Sequence, residues 1–342
     1  MVHIDNAVLP QGSLVLGANG FVASHVIKHL LSLGYKVRGT VRTPSSIEPF
    51  KQRWASEIPG SHFEAIQVEN LRSKDALEEA IKGVDGVIHL AQDMSLSTDY
   101  EAVVGGAVGS ALNLLEVAKS NPRVKRFVLT SSAIAVGFNR DPANPDRLLD
   151  DKVWNTPIIE YAKSLSADAP DKGGVVYAAS KTKVELEAWK YVNDNKPGFD
   201  FSVVLPFCTL GETYAGPVKS MPAYLHHFFL SQSQAVAASL PTMEVVSVDD
   251  VALLHVAALL VASVSQRRIL ASAHPVNRND LLASFRRLYP AKSFYPDLVD
   301  QPAAVRVLDA EPARDILKAI GKPGDGWDTL DDMVKQTVDA VA

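Results

Sequence analysis

Ser13-Leu-Val-Leu-Gly-Ala-Asn-Gly-Phe-Val-Ala-Ser-His-Val-Ile-Lys-His-Leu-Leu-Ser-Leu-Gly34 decides how the chain is read. Ser13 to Leu16 is a short apolar strand candidate. Gly17, Gly20 and Ala23 then open a helix that stops at Gly34. Small residues at those three places allow a tight turn, close backbone approach to a phosphate and close helix–strand packing. The helix N-terminus that follows is ready to receive a pyrophosphate. The stretch predicts a dinucleotide cradle carried by Gly17, Asn19, Gly20, Phe21 and Val22. A lone Gly-x-x-Gly is only a turn; its place between a strand and a helix, with another strand beyond, gives it weight.

That next strand, Lys36-Val-Arg-Gly-Thr-Val41, ends at Arg42. A site for NAD usually places an acid near the end of this strand to hold the ribose 2'-hydroxyl. No acid lies between Gly34 and Ser46, whereas Arg38 and Arg42 do. A guanidinium suits a 2'-phosphate, so NADP is expected, with Arg42 the favoured ligand and Arg38 the lesser candidate. Both arginines also fit ordinary surface charge, and alternation puts Arg38 on the side away from Val37 and Val41.

Further strands are expected at Phe63–Val68, Gly86–Ala91, Val124–Ser132 and Phe201–Pro206, with helices at Ser73–Ile81 and Ala107–Ala118. Strand and helix patterns alternating at this spacing imply an α/β fold, a Rossmann-type doubly wound parallel sheet whose ligand lies beyond the carboxyl ends of its strands. Thr130, Ser131 and Ser132 sit at such an end. Residues 133–174 form an irregular excursion rich in Asp and Pro, a loop expected to flank the site.

Val175-Val-Tyr-Ala-Ala-Ser-Lys-Thr-Lys-Val-Glu-Leu-Glu-Ala-Trp-Lys190 follows, with no Gly or Pro from Tyr177 onward. It reads as a long helix with Tyr177 and Lys181 one turn apart on one face. A nearby ammonium favours a phenolate, and such a pair can hand a proton to a carbonyl oxygen as hydride arrives at carbon. On many solvated helices the same spacing means nothing; the nucleotide cradle upstream is what makes it chemical.

Beyond Gly211 the alternation lapses. Met221-Pro-Ala-Tyr-Leu-His-His-Phe-Phe-Leu230 is an apolar, aromatic run that suits a pocket wall or a core helix. Glu244–Val248 reads as a strand and Asp249-Asp250 as the cap of a buried helix from Val251, with helices near Arg278–Leu288, Glu311–Ile320 and Leu330–Val341. The expected division is a dinucleotide-binding domain over 11–206 and a smaller carboxy-terminal substrate-binding lobe over 207–342, with about 240–262 returning to the first domain.

At 342 residues and 47% hydrophobic, the chain can bury a full core. A net charge of −5 with scattered Lys and Arg carries no nucleic-acid footprint. One cysteine, Cys208, excludes a disulfide framework and a Cys-based zinc cluster, so no metal is expected. Neither a secretory leader nor a membrane span is read: Val251–Val264 is short and broken by His255. A soluble cytoplasmic protein acting on a small molecule is the expectation.

The order Gly17-Ala-Asn-Gly20-Phe-Val-Ala23, His89-Leu-Ala91, Leu129-Thr-Ser-Ser132, Tyr177-Ala-Ala-Ser-Lys181 and Leu205-Pro206 resembles the extended short-chain dehydrogenase/reductases. Within them it looks like the branch of plant dihydroflavonol and cinnamoyl-CoA reductases. It is most similar to the yeast and filamentous-fungal NADPH-dependent aldehyde/ketone (carbonyl) reductases of the aldehyde reductase II type. Ile4-Asp-Asn-Ala-Val-Leu-Pro10, Gly34-Tyr-Lys-Val-Arg-Gly-Thr40 and Phe285-Arg-Arg-Leu-Tyr-Pro290 support the closer match. The resemblance covers nearly the whole chain. It implies Tyr177 as catalytic acid, Lys181 as the group that lowers its pKa and holds the nicotinamide ribose, and Ser132 as the hydroxyl polarising the carbonyl. It also implies NADP contacts from Asn70, Leu71, Leu90, Ala91, Thr130 and Pro206, and a substrate pocket of Phe207, Met221, Tyr224 and Phe228. Such relatives are monomers or homodimers.

Three departures stand out. The segment before Gly17 is two residues shorter than usual, Asn70 stands where an Asp often contacts the adenine, and Phe207 replaces the usual Asn after Pro206. Other activities fit less well. Dehydratases of related fold carry Asp-Glu after the strand-end hydroxyl, where this chain has Ala133-Ile134. The Asn-Trp-Tyr-Cys-Tyr signature of cinnamoyl-CoA reductases is missing near Lys152-Val-Trp-Asn-Thr156. A non-catalytic NADP sensor would not be expected to keep Ser132, Tyr177 and Lys181 together.

Overall fold

The computed structural model describes residues 4, 7–9, 12–92, 95–137, 144, 146–214, 221–231 and 243–340. Strands β1 (Gly12–Leu16), β2 (Lys36–Val41), β3 (Phe63–Gln67), β4 (Gly86–His89), β5 (Arg126–Thr130) and β6 (Asp200–Pro206) alternate with helices. These are α1 (Phe21–Ser32), α2 (Glu48–Glu57), α3 (Lys74–Ala80), α4 (Gly106–Ser120), α5 (Pro157–Ser164) and α6 (Lys172–Asn195). With β9 (Arg268–Ala271) the strands form a seven-stranded sheet in the order β3-β2-β1-β4-β5-β6-β9. Every pairing in it is parallel. The order reverses between β1 and β4, which opens a crevice at their carboxyl ends.

Burial on both faces explains the near-continuous apolar strands: all of β4 is buried, and β6 from its second residue. One face is covered by α1 and the helix Val248–Leu260, the other by α3, α4 and α6. The shortened first strand still pairs with both neighbours, Leu16 standing opposite Thr40 and His89. Glu101–Ser120 is long and apolar enough to cross a membrane by length and composition. Here Leu114, Leu115, Val117 and Ala118 are buried in the core beside the sheet.

The catalytic-helix candidate starts five residues before Tyr177, at Lys172. Its Gly173 is needed for space: an added Cβ would lie 2.2 Å from the Leu96 carbonyl oxygen.

Beyond β6 the chain forms a small second sheet, β10-β8-β7, from β7 (Cys208–Leu210), β8 (Met243–Ser247) and β10 (His274–Val276). The return of the chain to the main sheet extends past 262, because β9 pairs with β6. Ser247, rather than Asp249-Asp250, caps the helix Val248–Leu260; its side chain accepts from the Asp249 amide. Asp249 and Asp250 occupy the first turn, where a carboxylate complements the helix dipole. Asp250 is fully buried and meets Lys322 Nζ at 2.6 Å.

The aromatic run forms helix α7 (Met221–Ser231). Phe228, expected in the substrate pocket, is 2% exposed and meets Phe285 edge-on at 5.4 Å between ring centroids. Phe229 joins it against Phe285, Tyr289 and Phe294. These two rings therefore belong to the hydrophobic core, which accounts for the apolar pattern. The side chains of Met221 and Tyr224 lie outside the described residues.

Candidate active site

The turn after β1 is built as its small residues imply. Gly17 has φ +79°, and an added Cβ would come within 3.1 Å of Ala91 Cα. A side chain would be both strained and obstructed there. The Gly17 and Ala18 amides donate to Thr40 Oγ1 and O, at 3.1 and 3.0 Å, pinning the turn to β2. Gly20 caps α1 without any side-chain hydrogen bond, and the first turn holds no acid. The helix N-terminus is thus left to an external anion. Phe21 and Val22 are half-buried, and exposed Asn19 donates to Ser46 Oγ at 3.1 Å. Leu90 and Ala91 are half-buried just past β4, on the other side of the crevice.

The arginines separate cleanly. Arg38 is engaged: Nε donates to Glu64 Oε2 at 2.8 Å, and Nη1 to the Ala80 and Lys82 carbonyls at 3.0 and 2.7 Å. It braces the sheet against α3 and the turn after it. Arg42 is exposed just beyond the carboxyl end of β2, with no guanidinium partner among the described residues. Asn70 accepts the Arg72 amide through Oδ1 at 2.9 Å, leaving its amide nitrogen as a donor, and Leu71 beside it is half-buried.

Tyr177, Lys181 and Glu185 rise at four-residue spacing along one face of α6, opposite the end of β5. The three consecutive hydroxyls there take separate partners. Thr130 meets His255 Nε2 at 2.7 Å, Ser131 donates to Glu185 Oε2 at 2.7 Å, and Ser132, whose Oγ accepts the Ile134 amide at 3.4 Å, stands by the Tyr177 phenol and favours its ionised form. Burial pushes the Tyr177 phenol up to about 12, opposed by the Ser132 hydroxyl, which favours the ionised form. Burial pulls the Lys181 ammonium down to about 8, against the Glu185 carboxylate. Lys181 Nζ donates to the Thr130 carbonyl at 3.0 Å and lies 6.0 Å from the Tyr177 ring centre. Ser132, Tyr177 and Lys181 are therefore brought together, with Pro206 buried at the end of β6 and Phe207 half-buried after it.

Sequence reading missed the layer beneath. Glu185 is fully buried and paired with Arg268 Nε at 2.6 Å. Arg268 also donates to the Asp151 and Val153 carbonyls and lies 3.7 Å over the Trp154 ring. Part of the irregular excursion is thereby fixed to the sheet. Asn155 ties it down further, donating to the Ala135 and Ile134 carbonyls beside Ser132. The available signal was the acid one turn beyond Lys181; its partner, 83 residues later, had none.

Three buried histidines, His25, His89 and His255, are held near 4, well below their ordinary value, mainly by desolvation. Between pH 6.5 and 4 the unfolded chain binds protons on them that the folded chain does not. Their stabilisation is whole above 6.5 and drains away as the pH falls towards 4, at up to about 1.4 kcal/mol per pH unit each. Buried Asp250, raised to about 7, acts in the opposite sense over the same range but is one group against three. Urea unfolding should show lower stability at pH 5 than at pH 7; a level or rising trend towards acid would mean these rings are charged in the folded protein.

The NAD dependent epimerase/dehydratase family model matches residues 13–270. An aldehyde reductase 2 of Sporidiobolus salmonicolor is 42% identical, over 99% of this chain and 98% of its own. The ketoreductase adrE of Penicillium rubens is 36% identical, over 97% of each. Among solved structures, the yeast methylglyoxal/isovaleraldehyde reductase Gre2, complexed with NADPH, superposes with a TM-score of 0.77 at 20% identity, over 96% of this chain and 97% of that one. That likeness bears on the fold alone. With its parallel sheet, its glycine turn at the switch point and a family match spanning most of its length, the chain belongs to the NAD dependent epimerase/dehydratase family.

Proposed function

We propose that the protein is an NADPH-dependent carbonyl reductase, converting aldehydes or ketones, keto esters included, to alcohols. The observation that carries this reading is Ser132, just past the end of β5, standing by the Tyr177 phenol and favouring its ionised form, with Lys181 buried one turn along the same helix face and held by the Thr130 carbonyl. The residues fit the cofactor: the uncapped start of α1 suits its pyrophosphate, exposed Arg42 its 2'-phosphate, and Asn70 and Leu71 its adenine. When bound, NADPH supplies the hydride.

Ser132 and Tyr177 donate to the substrate's carbonyl oxygen and stabilise the charge that grows there more than they stabilise the ground state. Tyr177 gives up its proton, and Lys181, whose buried ammonium spends one donor on Thr130, supports the phenolate and holds the nicotinamide ribose. Phe207, half-buried just after β6, contributes to an apolar wall favouring hydrophobic carbonyl compounds over sugar nucleotides. The names of the two curated relatives, an aldehyde reductase and a ketoreductase, agree with this reading. Elimination is disfavoured, because the residues after Ser132 are the buried apolar turn Ala133–Ala135. The protein acts in the cytoplasm on small molecules, as a monomer or homodimer.

A panel of aldehydes and ketones with NADPH tests the reading; binding without turnover on every member would make the protein a sensor. In the same assay Arg42→Ala should raise the KM for NADPH by about 1.5–3 kcal/mol equivalent, the worth of one charged phosphate contact, and barely change that for NADH. Equal effects on both cofactors would remove Arg42 from the site.

A further inference from the structure

We propose that His255 is a positioning residue for Lys181, acting through Thr130. The inference rests on the reading of Lys181 as the partner of Tyr177. His255 sits in the middle of the helix Val248–Leu260, whose other residues beyond the first turn are apolar, and it is fully buried. A leucine would pack there without the cost of burying a polar ring.

Both imidazole nitrogens have work. Nδ1 lies 2.7 Å from the Val251 carbonyl, which can only accept, so Nδ1 carries the proton. The ring is neutral, so Nε2 is an acceptor, and Thr130 donates to it at 2.7 Å. Thr130 is the last residue of β5, and its carbonyl takes the Lys181 ammonium at 3.0 Å. The hydroxyl bond to a rigid buried helix fixes how that carbonyl is presented. The titratable groups facing Lys181 are Tyr177 and Glu185 on its own helix, His89 at the end of β4, and His255. Only His255 reaches it through the carbonyl that holds it. A neutral acceptor does this without adding a second positive charge beside the ammonium.

The test compares His255→Asn, His255→Gln, Thr130→Val and the double variant Thr130→Val/His255→Asn. Asparagine can keep the bond to Val251 but is too short for Thr130; glutamine can still present an oxygen to the Thr130 hydroxyl. Single-turnover NADPH oxidation, the dissociation constant of NADPH by fluorescence, and Tm are measured on each. His255→Asn and Thr130→Val should each slow the chemical step roughly 10- to 100-fold, the cost of a misplaced group. The double variant should be no slower than either single, and His255→Gln should recover most of the loss despite a comparable fall in Tm. Multiplying losses in the double variant, or Asn and Gln rates that simply follow Tm, would overturn the proposal. Tyr177→Phe serves as reference: if it turns over normally the site reading itself fails, whereas an inactive Tyr177→Phe beside a fully active His255→Asn rejects only the role of His255.

Discussion

Tyr177→Phe is expected to lower turnover by roughly 10²–10⁴-fold, the contribution of a positioned general acid, while NADPH still binds. Phenylalanine keeps the ring and its packing but removes the donor to the carbonyl oxygen and the proton that oxygen needs. The protein's electrostatics make the loss hard to compensate. Tyr177 is in a desolvated site with its phenol raised to about 12, and Ser132 is the partner that favours its ionised form. Lys181 lies 6.0 Å from the ring centre. On the proposed reading, the ammonium acts on the charge that appears during reaction rather than by keeping the phenol ionised at rest. Lys181→Met should accordingly damage turnover and cofactor binding together. Stopped-flow measurement of NADPH oxidation in Tyr177→Phe decides the matter: a chemical step near the wild-type rate would mean that the proton comes from another group.

How far this site could be read from sequence depended on how local its signals are. The glycine turn, the missing acid after β2 and the four-residue step from Tyr177 to Lys181 each lie within one turn or one strand, so spacing exposed them. Arg38 and Arg42 looked alike because sequence does not show which one Glu64 and the carbonyls of α3 and its C-terminal turn would occupy. Phe228 looked like a pocket residue because an apolar helix facing a ligand and one facing a core have the same composition; Phe285 and Tyr295 settle its place. Arg268–Ala271 is too short and ordinary to announce a seventh strand, and its position follows from pairing with β6. His255 read as an interruption of an apolar run, whereas its partner is Thr130, 125 residues earlier. Contacts of that range leave no periodic trace.

The largest stability effect should come from the Glu185–Arg268 pair. Its side chains are 0% and 7% exposed, and Glu185 also takes the Ser131 hydroxyl. Removing one partner strands a buried charge. Arg268→Met should therefore cost about 3–5 kcal/mol in urea unfolding, far more than loss of an exposed pair such as Lys190–Asp194. Replacing both, as in Glu185→Leu/Arg268→Met, leaves no orphan charge and should restore much of that loss, because desolvating the pair offsets most of its attraction. Activity should not recover in parallel. Arg268 holds the Asp151 and Val153 carbonyls, and Glu185 favours the charged form of Lys181. Without the carboxylate the ammonium loses its proton at lower pH, so the alkaline limb of the turnover profile should move towards neutrality. A double variant as unstable as Arg268→Met would show that the pair holds the fold by attraction; one with an unmoved alkaline limb would show that Glu185 has no influence on Lys181.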